Sequence, residues 1–191
     1  SAAGLPPNNK AYDGNTTATT TLGSPSLTAA DIVSGDVVSL DTSGPITASF
    51  ADRNAGTGKT VAISGLGLSG ANASYYTLVA PTRTANITPL SITVTAAADS
   101  KMYDGNTSSI GVPTLSPGTP LIAPDVEPAW TQTFNNKNVG AGKSLIPAGA
   151  VDDGNGGLNY AYNFISNTTG AITQLPITVN AVTDSKIYDG A

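Results

Sequence analysis

The sequence predicts a mainly β protein in which two tandem small β-rich domains lie end to end, and three observations support this prediction. Charged residues make up only 11% of the 191 positions, and Thr, Ser, Asn and Gly supply the polar surface, which suits strands better than helices. Three short motifs each occur twice, in the same order and at nearly the same spacing. Between them, short segments of alternating apolar residues are bounded by Gly, Pro, Asn or Asp, as strands and turns are.

An internal repeat is the clearest sign of two domains. The motif at Lys10–Thr16 returns 91 residues later at Lys101–Thr107 and begins again at Lys186–Gly190. A closing motif, Ile87–Val94, returns 85 residues later at Ile172–Val179. The shared order at nearly one offset makes chance a poor explanation, so we expect each copy to fold in the same way.

A second motif lies in the middle of each copy, at Phe50–Thr60 and, 84 residues later, at Phe134–Ser144. Because the offset falls from 91 to 84, the loop between the first and second motifs is shorter in the second copy. We therefore predict domains over residues 1–96 and 97–191, the second of which ends in the start of a third repeat at 186–191. The partial third copy predicts that the chain comes from a longer array.

The candidate strands of the first copy are short. They are Val37–Leu40, Ile46–Phe50, Thr60–Ser64, Tyr76–Val79 and Leu90–Val94. A single helical turn is expected over Thr28–Val33, where Thr28 and Asp31 have the spacing of a capping box. Its counterpart at Leu121–Asp125 contains a proline and is expected to form one turn at most.

Composition argues against several classes of function. The net charge is −5, with eight basic residues and no His or Cys, so nucleic acid binding is not expected. Without His and Cys the chain lacks the commonest general base, thiolate nucleophiles and disulfides. We therefore predict that it is not an enzyme and holds no cofactor. No apolar run approaches the roughly 20 residues that cross a bilayer, so membrane insertion is not expected.

Two glycine-rich segments, Gly56–Thr60 and Gly140–Ser144, are similar to a phosphate-binding loop. The P-loop also needs a glycine five residues before its second glycine, and Arg53 and Lys137 stand at those positions. We interpret both segments as glycine-rich strand connections, whose glycines allow backbone conformations that other residues avoid. These glycines are Gly56, Gly58, Gly140 and Gly142.

The chain resembles the YDG repeat family of bacterial surface proteins over almost the whole of both copies. The resemblance rests on four motifs in order: Lys-x-Tyr-Asp-Gly-Asn-Thr, Asn-x-Gly-x-Gly-Lys-[Ser/Thr], Tyr-Thr-Leu and Ile-Thr-Pro. It implies a mostly β-grasp fold for each domain, and an immunoglobulin-like β-sandwich is the alternative. The second copy departs from the pattern at Gln174, where Pro89 stands in the first copy.

The resemblance also implies a function. Domains of this family recur in large secreted adhesins of the filamentous-haemagglutinin type, where they look like stalk or spacer modules. The expectation is an extracellular array at the bacterial cell surface that projects an adhesive region, with neighbouring repeats of the same chain as partners. The alternative is that the domains themselves bind a host glycan or protein through their variable loops, as loops on a rigid scaffold often do.

The Lys-x-Tyr-Asp-Gly motif is interpreted as structural, with its Tyr buried at the boundary between units and Asp-Gly forming a turn. Its residues are Lys10, Tyr12, Asp13 and Gly14 in the first copy and Lys101, Tyr103, Asp104 and Gly105 in the second. The alternative is a covalent isopeptide bond between Lys10 and Asn15, or between Lys101 and Asn106. That reaction also requires a buried carboxylic acid.

Two further candidates concern ligands. Asp152, Asp153 and Asn155 bring oxygen atoms together as calcium sites do. A solvated turn is the preferred interpretation, because the corresponding stretch of the first copy has no carboxylate. Trp130 is the candidate contact for a sugar, which an exposed Trp can stack on, and a core position is the preferred interpretation.

Overall fold

The structure, a computed structural model, describes residues 7–20, 25–118 and 121–190. In these ranges the chain is mainly β, as predicted, with fourteen strands and two single-turn 3-10 helices, Ala29–Asp31 and Ala73–Tyr75. The first of these helices lies within the expected turn at Thr28–Val33. The strands are β1 (Lys10–Ala11), β2 (Thr17–Ala18), β3 (Ser39–Asp41), β4 (Thr47–Phe50), β5 (Gly56–Ser64), β6 (Gly67–Ser69), β7 (Thr82–Thr88), β8 (Leu90–Thr95), β9 (Ser100–Met102), β10 (Thr114–Leu115), β11 (Thr131–Phe134), β12 (Gly140–Ala148), β13 (Tyr160–Ile165) and β14 (Asn167–Thr173). Neither described helix has the length and apolar character needed to cross a bilayer.

The two copies of the repeat have the same strand order. The largest sheet has the order β1-β7-β5-β4-β2, in which β1 is parallel to β7 and the other pairs are antiparallel. A four-stranded sheet in the second copy has the order β9-β14-β12-β11 with the same directions. Even the register agrees, since Lys10 lies opposite Ile87 and Lys101 opposite Ile172. The first and second motifs therefore supply the same strands in both copies, whereas the closing motif forms β8 in the first copy and no strand among the described residues after Thr173 in the second. A separate two-stranded sheet pairs β3 with β6.

Strand β8 belongs to another sheet, of order β10-β8-β13. Only Pro89 separates β8 from β7, yet both neighbours of β8 come from the second copy. β13 pairs with it in parallel along its whole length, and β10 pairs with it antiparallel. A strand before the predicted boundary at residue 96 thus pairs with strands after it. The domain limits of 1–96 and 97–191 stay a prediction.

The glycine-rich segments form the first residues of β5 and β12. The pairing of β5 shifts register between Gly56 and Lys59, which is a β-bulge. Gly58 has a φ of +62° and Gly142 a φ of +67°, a left-handed conformation that other residues rarely adopt. The Gly58 N–H donates to Asn86 Oδ1 at 2.8 Å. Glycine is therefore needed at Gly58 and Gly142 because the bulge places the backbone of both residues in the left-handed conformation.

Two clusters of buried side chains form the core. The larger cluster draws on both copies and contains Tyr12, Ala18, Ala48, Phe50, Val61, Ile63, Ala85, Ile87, Ile92, Val94, Trp130, Val151 and Tyr160. The smaller contains Ala96, Phe134, Leu145 and Ile172, with Tyr103 packed against it. Alternate residues of the strands point into these clusters, as the period of two requires. On β8, for example, Ile92 is 1% and Val94 0% exposed, so this strand contributes fully to the shared core.

The expected strand at Tyr76–Val79 is wrong, whereas the other four candidate strands correspond to β3, β4, β5 and β8 within a few residues. Residues 76–81 belong to no strand, and Val79 is 77% exposed. The alternating pattern is present, but a strand also needs a hydrogen-bonding neighbour. Within the described ranges no strand pairs with this segment. Its counterpart in the second copy is β13, which is a strand because β8 lies beside it.

Candidate functional site: the contact around Asp125

The site is built on a tight turn, Ile122–Asp125, in which the Asp125 N–H donates to the Ile122 carbonyl at 2.9 Å. The Tyr160 hydroxyl secures this turn. It donates to Asp125 Oδ2 at 2.8 Å and accepts the Ile122 N–H at 3.0 Å. A tight turn therefore forms within Leu121–Asp125, where one helical turn at most was expected, and it is not helical. A tyrosine from β13 holds it against the sheet.

The first copy has the same arrangement at Val33–Asp36. The Asp36 N–H donates to the Val33 carbonyl at 3.0 Å. The Tyr76 hydroxyl donates to Asp36 Oδ2 at 2.7 Å and accepts the Val33 N–H at 2.9 Å. Tyr76 is therefore the structural counterpart of Tyr160, and Asp36 that of Asp125. We call each such pair of a turn and a tyrosine an Asp–Tyr turn.

Asp125 differs from Asp36 in binding two side chains of the other copy. The Tyr12 hydroxyl donates to Asp125 Oδ2 at 2.7 Å, and Arg53 Nη2 donates to Oδ1 at 2.7 Å. The Asp125 side chain is fully buried, and Tyr12 is 2% exposed. The Tyr12 ring meets the ring of Tyr160 edge-on, with centroids 5.6 Å apart. The tyrosine of the first Lys-x-Tyr-Asp-Gly motif is thus buried against the second copy.

Asp125 receives two protonated hydroxyl donors and one cation. Burial, reinforced by the hydrogen bond to Asp125, raises the pKa of Tyr12 well above its ordinary value. Burial also raises the pKa of Tyr160 to about 12. Both hydroxyls are therefore protonated donors at neutral pH. The Arg53 guanidinium supplies the positive charge that a buried carboxylate needs, and it lies 5.8 Å from the centroid of the Tyr12 ring.

A second set of hydrogen bonds beside Asp125 also joins the two copies. The fully buried Asn159 accepts the Ala55 N–H through Oδ1 at 2.7 Å and donates to Asn54 Oδ1 at 3.3 Å. Arg53 donates further to the Asp153 carbonyl at 3.1 Å. Arg53, Asn54 and Ala55 are consecutive residues of the second motif. The second motif of the first copy therefore has two roles. Its glycines form the bulge at the start of β5, and the residues just before them contact the second copy.

Asp153 holds the loop that carries Asn159. Its Oδ1 accepts the N–H of Asn155 at 2.7 Å and that of Gly157 at 2.8 Å, and its Oδ2 accepts the Asn159 N–H at 2.8 Å. Of the calcium candidates Asp152, Asp153 and Asn155, Asp153 is therefore committed to backbone amides. The turn is also not solvated there, as Asp153 is 1% exposed. In the described ranges no group of three or more His, Cys, Asp or Glu residues is arranged to hold a metal ion.

Acid is expected to destabilise the fold through Asp153. Burial acts to raise the pKa of Asp153, but the three backbone hydrogen bonds outweigh it and lower the pKa. Such a carboxylate stabilises the folded state above its unfolded pKa of about 3.9, and the stabilisation is lost as the pH falls through the lower folded value. Urea titrations should show a free energy of unfolding that falls below about pH 4. Asp153→Asn should reduce that slope, and equal slopes would contradict the assignment.

The Lys-x-Tyr-Asp-Gly motif forms the same compact turn in both copies. Lys10 Nζ lies 2.7 Å from Asp13 Oδ1 and 3.0 Å from Asn15 Oδ1, and the corresponding distances in the second copy are 2.8 Å and 2.9 Å. Gly14 has a φ of +78°. The structure therefore brings the isopeptide candidates together as hydrogen-bond partners. Although burial opposes it, the hydrogen bond from Lys10 lowers the pKa of Asp13. The Asp13 side chain is 46% exposed, so Asp13 is not the buried carboxylic acid that isopeptide formation needs.

Trp130 lies in the core, the position that the sequence favoured. It is 5% exposed, and the rings of Tyr162 and Phe164 pack against it with centroids at 6.3 Å. Its indole N–H donates to Glu127 at 2.7 Å. The backbone of Gly149 packs directly against the Trp130 ring, since a Cβ at this position would lie 2.5 Å from the ring. The ring therefore offers no face to a sugar, and the candidate sugar contact at Trp130 is wrong.

Sequence reasoning did not identify Asp125, Arg53 or Asn159 as site residues. Tyr12 and Asp125 are 113 positions apart, and no local pattern connects them. One signal was available. Asp36 and Asp125 each follow an apolar residue by three positions. Asp36 lies 40 residues before Tyr76, and Asp125 lies 35 residues before Tyr160. An alignment of the two variable loops on these aspartates would have shown the Asp–Tyr turns.

Comparisons with known proteins agree with this repeat organisation. No curated protein and no solved structure matches the chain significantly. The model of the YDG domain matches residues 1–85 and again residues 88–170. The two matches contain the two copies of the Lys-x-Tyr-Asp-Gly motif and meet near the end of β7. Because they cover most of its length, the chain belongs to the YDG domain family.

Proposed function

We propose that this chain is a structural spacer, formed by two tandem domains of the mostly β-grasp type, in a large secreted bacterial adhesin. In this role it projects an adhesive region away from the cell surface. Membership of the YDG family and the repeated strand order support the proposal. So does a polar, weakly charged surface without Cys, which suits an extracellular β protein that is stable by its core alone.

The direct coupling of the two copies is the observation that carries the proposal. β7 is the last strand of the largest sheet in chain order, and it ends at Thr88. After Pro89 the chain continues as β8, which belongs to the next sheet. In the described ranges one residue, Pro89, connects these strands, and the larger core cluster contains residues of both copies. The contact of Asp125 with Tyr12 and Arg53 adds a buried ion pair at the same place. A joint of this kind resists bending, which is what a spacer needs.

A distance measurement between the copies tests the stiffness of the joint. The chain has no cysteine, so spin labels can be placed at Thr57→Cys on β5 and Ile146→Cys on β12, two exposed positions. We expect a single narrow distance distribution by double electron–electron resonance. A broad distribution would count against a spacer. The free energy of unfolding of the labelled chain, compared with wild type, serves as the control for folding.

Binding experiments distinguish a spacer from a module that itself binds a host molecule. The wild-type chain, applied to a glycan array and to host cells, should not bind above the level of an unrelated β protein of similar charge. Saturable binding would instead favour the alternative, in which the variable loops recognise a glycan or a host protein. Substitutions in the variable loops, at residues 25–45 and 113–128, would then locate the binding surface.

A further inference from the structure

Strand β8 shows how the end of one copy completes the next. It lies in parallel beside β13, with Leu90 opposite Tyr160 and Ile92 opposite Tyr162. Its apolar residues fill a groove whose other wall includes Leu121, from the Asp–Tyr turn region. The second copy thus takes one strand of its core from the closing motif of the first.

The corresponding groove in the first copy holds no strand from the part of the chain that the structure describes. Tyr76, the counterpart of Tyr160, begins a segment that belongs to no strand, and Val79 in that segment is 77% exposed. An apolar cavity lies alongside, and its lining includes Leu27, Ile32 and Leu78. Ile32 precedes the Asp–Tyr turn of the first copy just as Leu121 precedes that of the second. This is therefore the same groove, without a strand from the described residues in it.

A matching strand is exposed at the other end of the chain. Leu175–Val179 has the sequence LPITV, against LSITV at Leu90–Val94. Ile177 is 87% and Val179 88% exposed, whereas their counterparts on β8 are buried. Exposed alternating apolar residues without a partner strand favour pairing with another sheet edge.

We propose that the groove beside Tyr76–Pro81 is a site for the closing-motif strand of another repeat, and that Leu175–Asn180 of a second copy of this chain binds there as a parallel strand, head to tail. The contact between β8 and β13 gives the register, with Leu78 opposite Ile177 and Val79 opposite Thr178. Such a contact is heterologous, because the groove of one copy meets the closing strand of the other. It concerns association between copies and does not rest on the spacer role.

The polar contacts around Asp125 support the same docking. Asp36 binds Tyr76 as Asp125 binds Tyr160, but no described residue occupies the positions of Tyr12 and Arg53 beside it. In the second copy those positions belong to Tyr103, which is only partly buried, and to Lys137. Head-to-tail docking brings the Tyr103 hydroxyl and the Lys137 ammonium to the Asp36 carboxylate of the second chain. The charges are complementary.

The one difference between the two strand sequences is compatible with this pairing. The Leu90 N–H donates to the Asn159 carbonyl and the Ala96 N–H to the Ile165 carbonyl, both at 2.9 Å. Alternate residues of β8 therefore face β13, and the N–H of Ser91 points away from it. Pro176 stands at the position of Ser91. The proline removes no hydrogen bond to the accepting strand.

Engineered disulfides test both the contact and its register. One chain carries Leu78→Cys and another Ile177→Cys, and the two are mixed in equal amounts in a glutathione redox buffer. Residues directly opposite in a sheet have Cα separations that a disulfide can span, so we expect the mixed dimer to accumulate several-fold above its level in denaturant. The matched control, Val182→Cys, replaces a residue that is 92% exposed outside the pairing segment, and it should show no such excess.

A second pair of variants keeps the test valid if the first cysteine substitution disturbs folding. If Leu78→Cys lowers the melting temperature, Val79→Cys with Thr178→Cys replaces the first pair at the next position of the same register. Adding Val179→Asp to the donor chain should reduce the mixed disulfide several-fold, whereas Val182→Asp should leave it unchanged. A mixed yield no greater than that of the control, or equal yields with Val179→Asp and Val182→Asp, would overturn the proposal.

Discussion

Asp125→Ala is expected to lower the free energy of unfolding by about 3–5 kcal/mol, the cost of breaking a buried ion pair by removing one partner. The substitution leaves Arg53 without its carboxylate and takes the acceptor from the hydroxyls of Tyr12 and Tyr160. Tyr12 and Arg53 come from the other copy, so the loss should also weaken the coupling between the copies. Urea unfolding followed by the fluorescence of Trp130, which lies in the second copy, and by circular dichroism of the whole chain measures both effects.

Asp36→Ala is the matched control for this prediction. Asp36 forms the same Asp–Tyr turn, in which its carboxylate accepts a hydrogen bond from the Tyr76 hydroxyl. One hydrogen bond contributes about 1 kcal/mol, so Asp36→Ala should cost no more than this. Equal losses for the two variants would show that the turn alone matters and that the contact between the copies contributes nothing.

Ile92→Ala is expected to cost about 2–5 kcal/mol, as deletion of a fully buried branched side chain does. Ile92 is 1% exposed in the shared core, and its counterpart Ile177 is 87% exposed. Ile177→Ala should therefore stay within about 0.5 kcal/mol of wild type, as surface substitutions usually do. The same substitution is thus made twice in the same motif, and only the tertiary position differs.

Thermal or urea unfolding at low protein concentration measures this pair of variants, because dilution keeps any association through Ile177 from adding to its stability. A loss at Ile177 as large as that at Ile92 would mean that the closing motif of the second copy is buried within a single chain. A negligible loss at Ile92 would mean that β8 does not belong to the core of the second copy.

Much of the fold could be predicted from local patterns. Alternation of apolar residues located β4, β5 and β8, and the glycines of the second motif indicated an unusual backbone where the bulge forms. The repeat predicted that both copies would supply the same strands. Tyr12 was expected to be buried at the boundary between units, and it is 2% exposed there.

The site itself was less accessible to such reasoning. Tyr76–Val79 and Tyr160–Ile165 both have strand-like sequences, and only the second is a strand, because only it has β8 as a neighbour. Asp125 looked like one loop carboxylate among many. Its role depends on Tyr12 and Arg53, which are 113 and 72 positions away, and no local spacing encodes contacts at that distance.

By itself, the sequence determined that this protein is mainly β, that one pattern occurs twice and where its turns require glycine, since these properties depend on neighbouring residues. Only the tertiary structure decided that the closing strand of one copy completes the sheet of the next. It also decided that one LxITV segment is buried while the other is exposed. The physical reason is that a strand is stabilised by hydrogen bonds and apolar contacts with a partner strand, and the choice of partner is not contained in the strand's own residues.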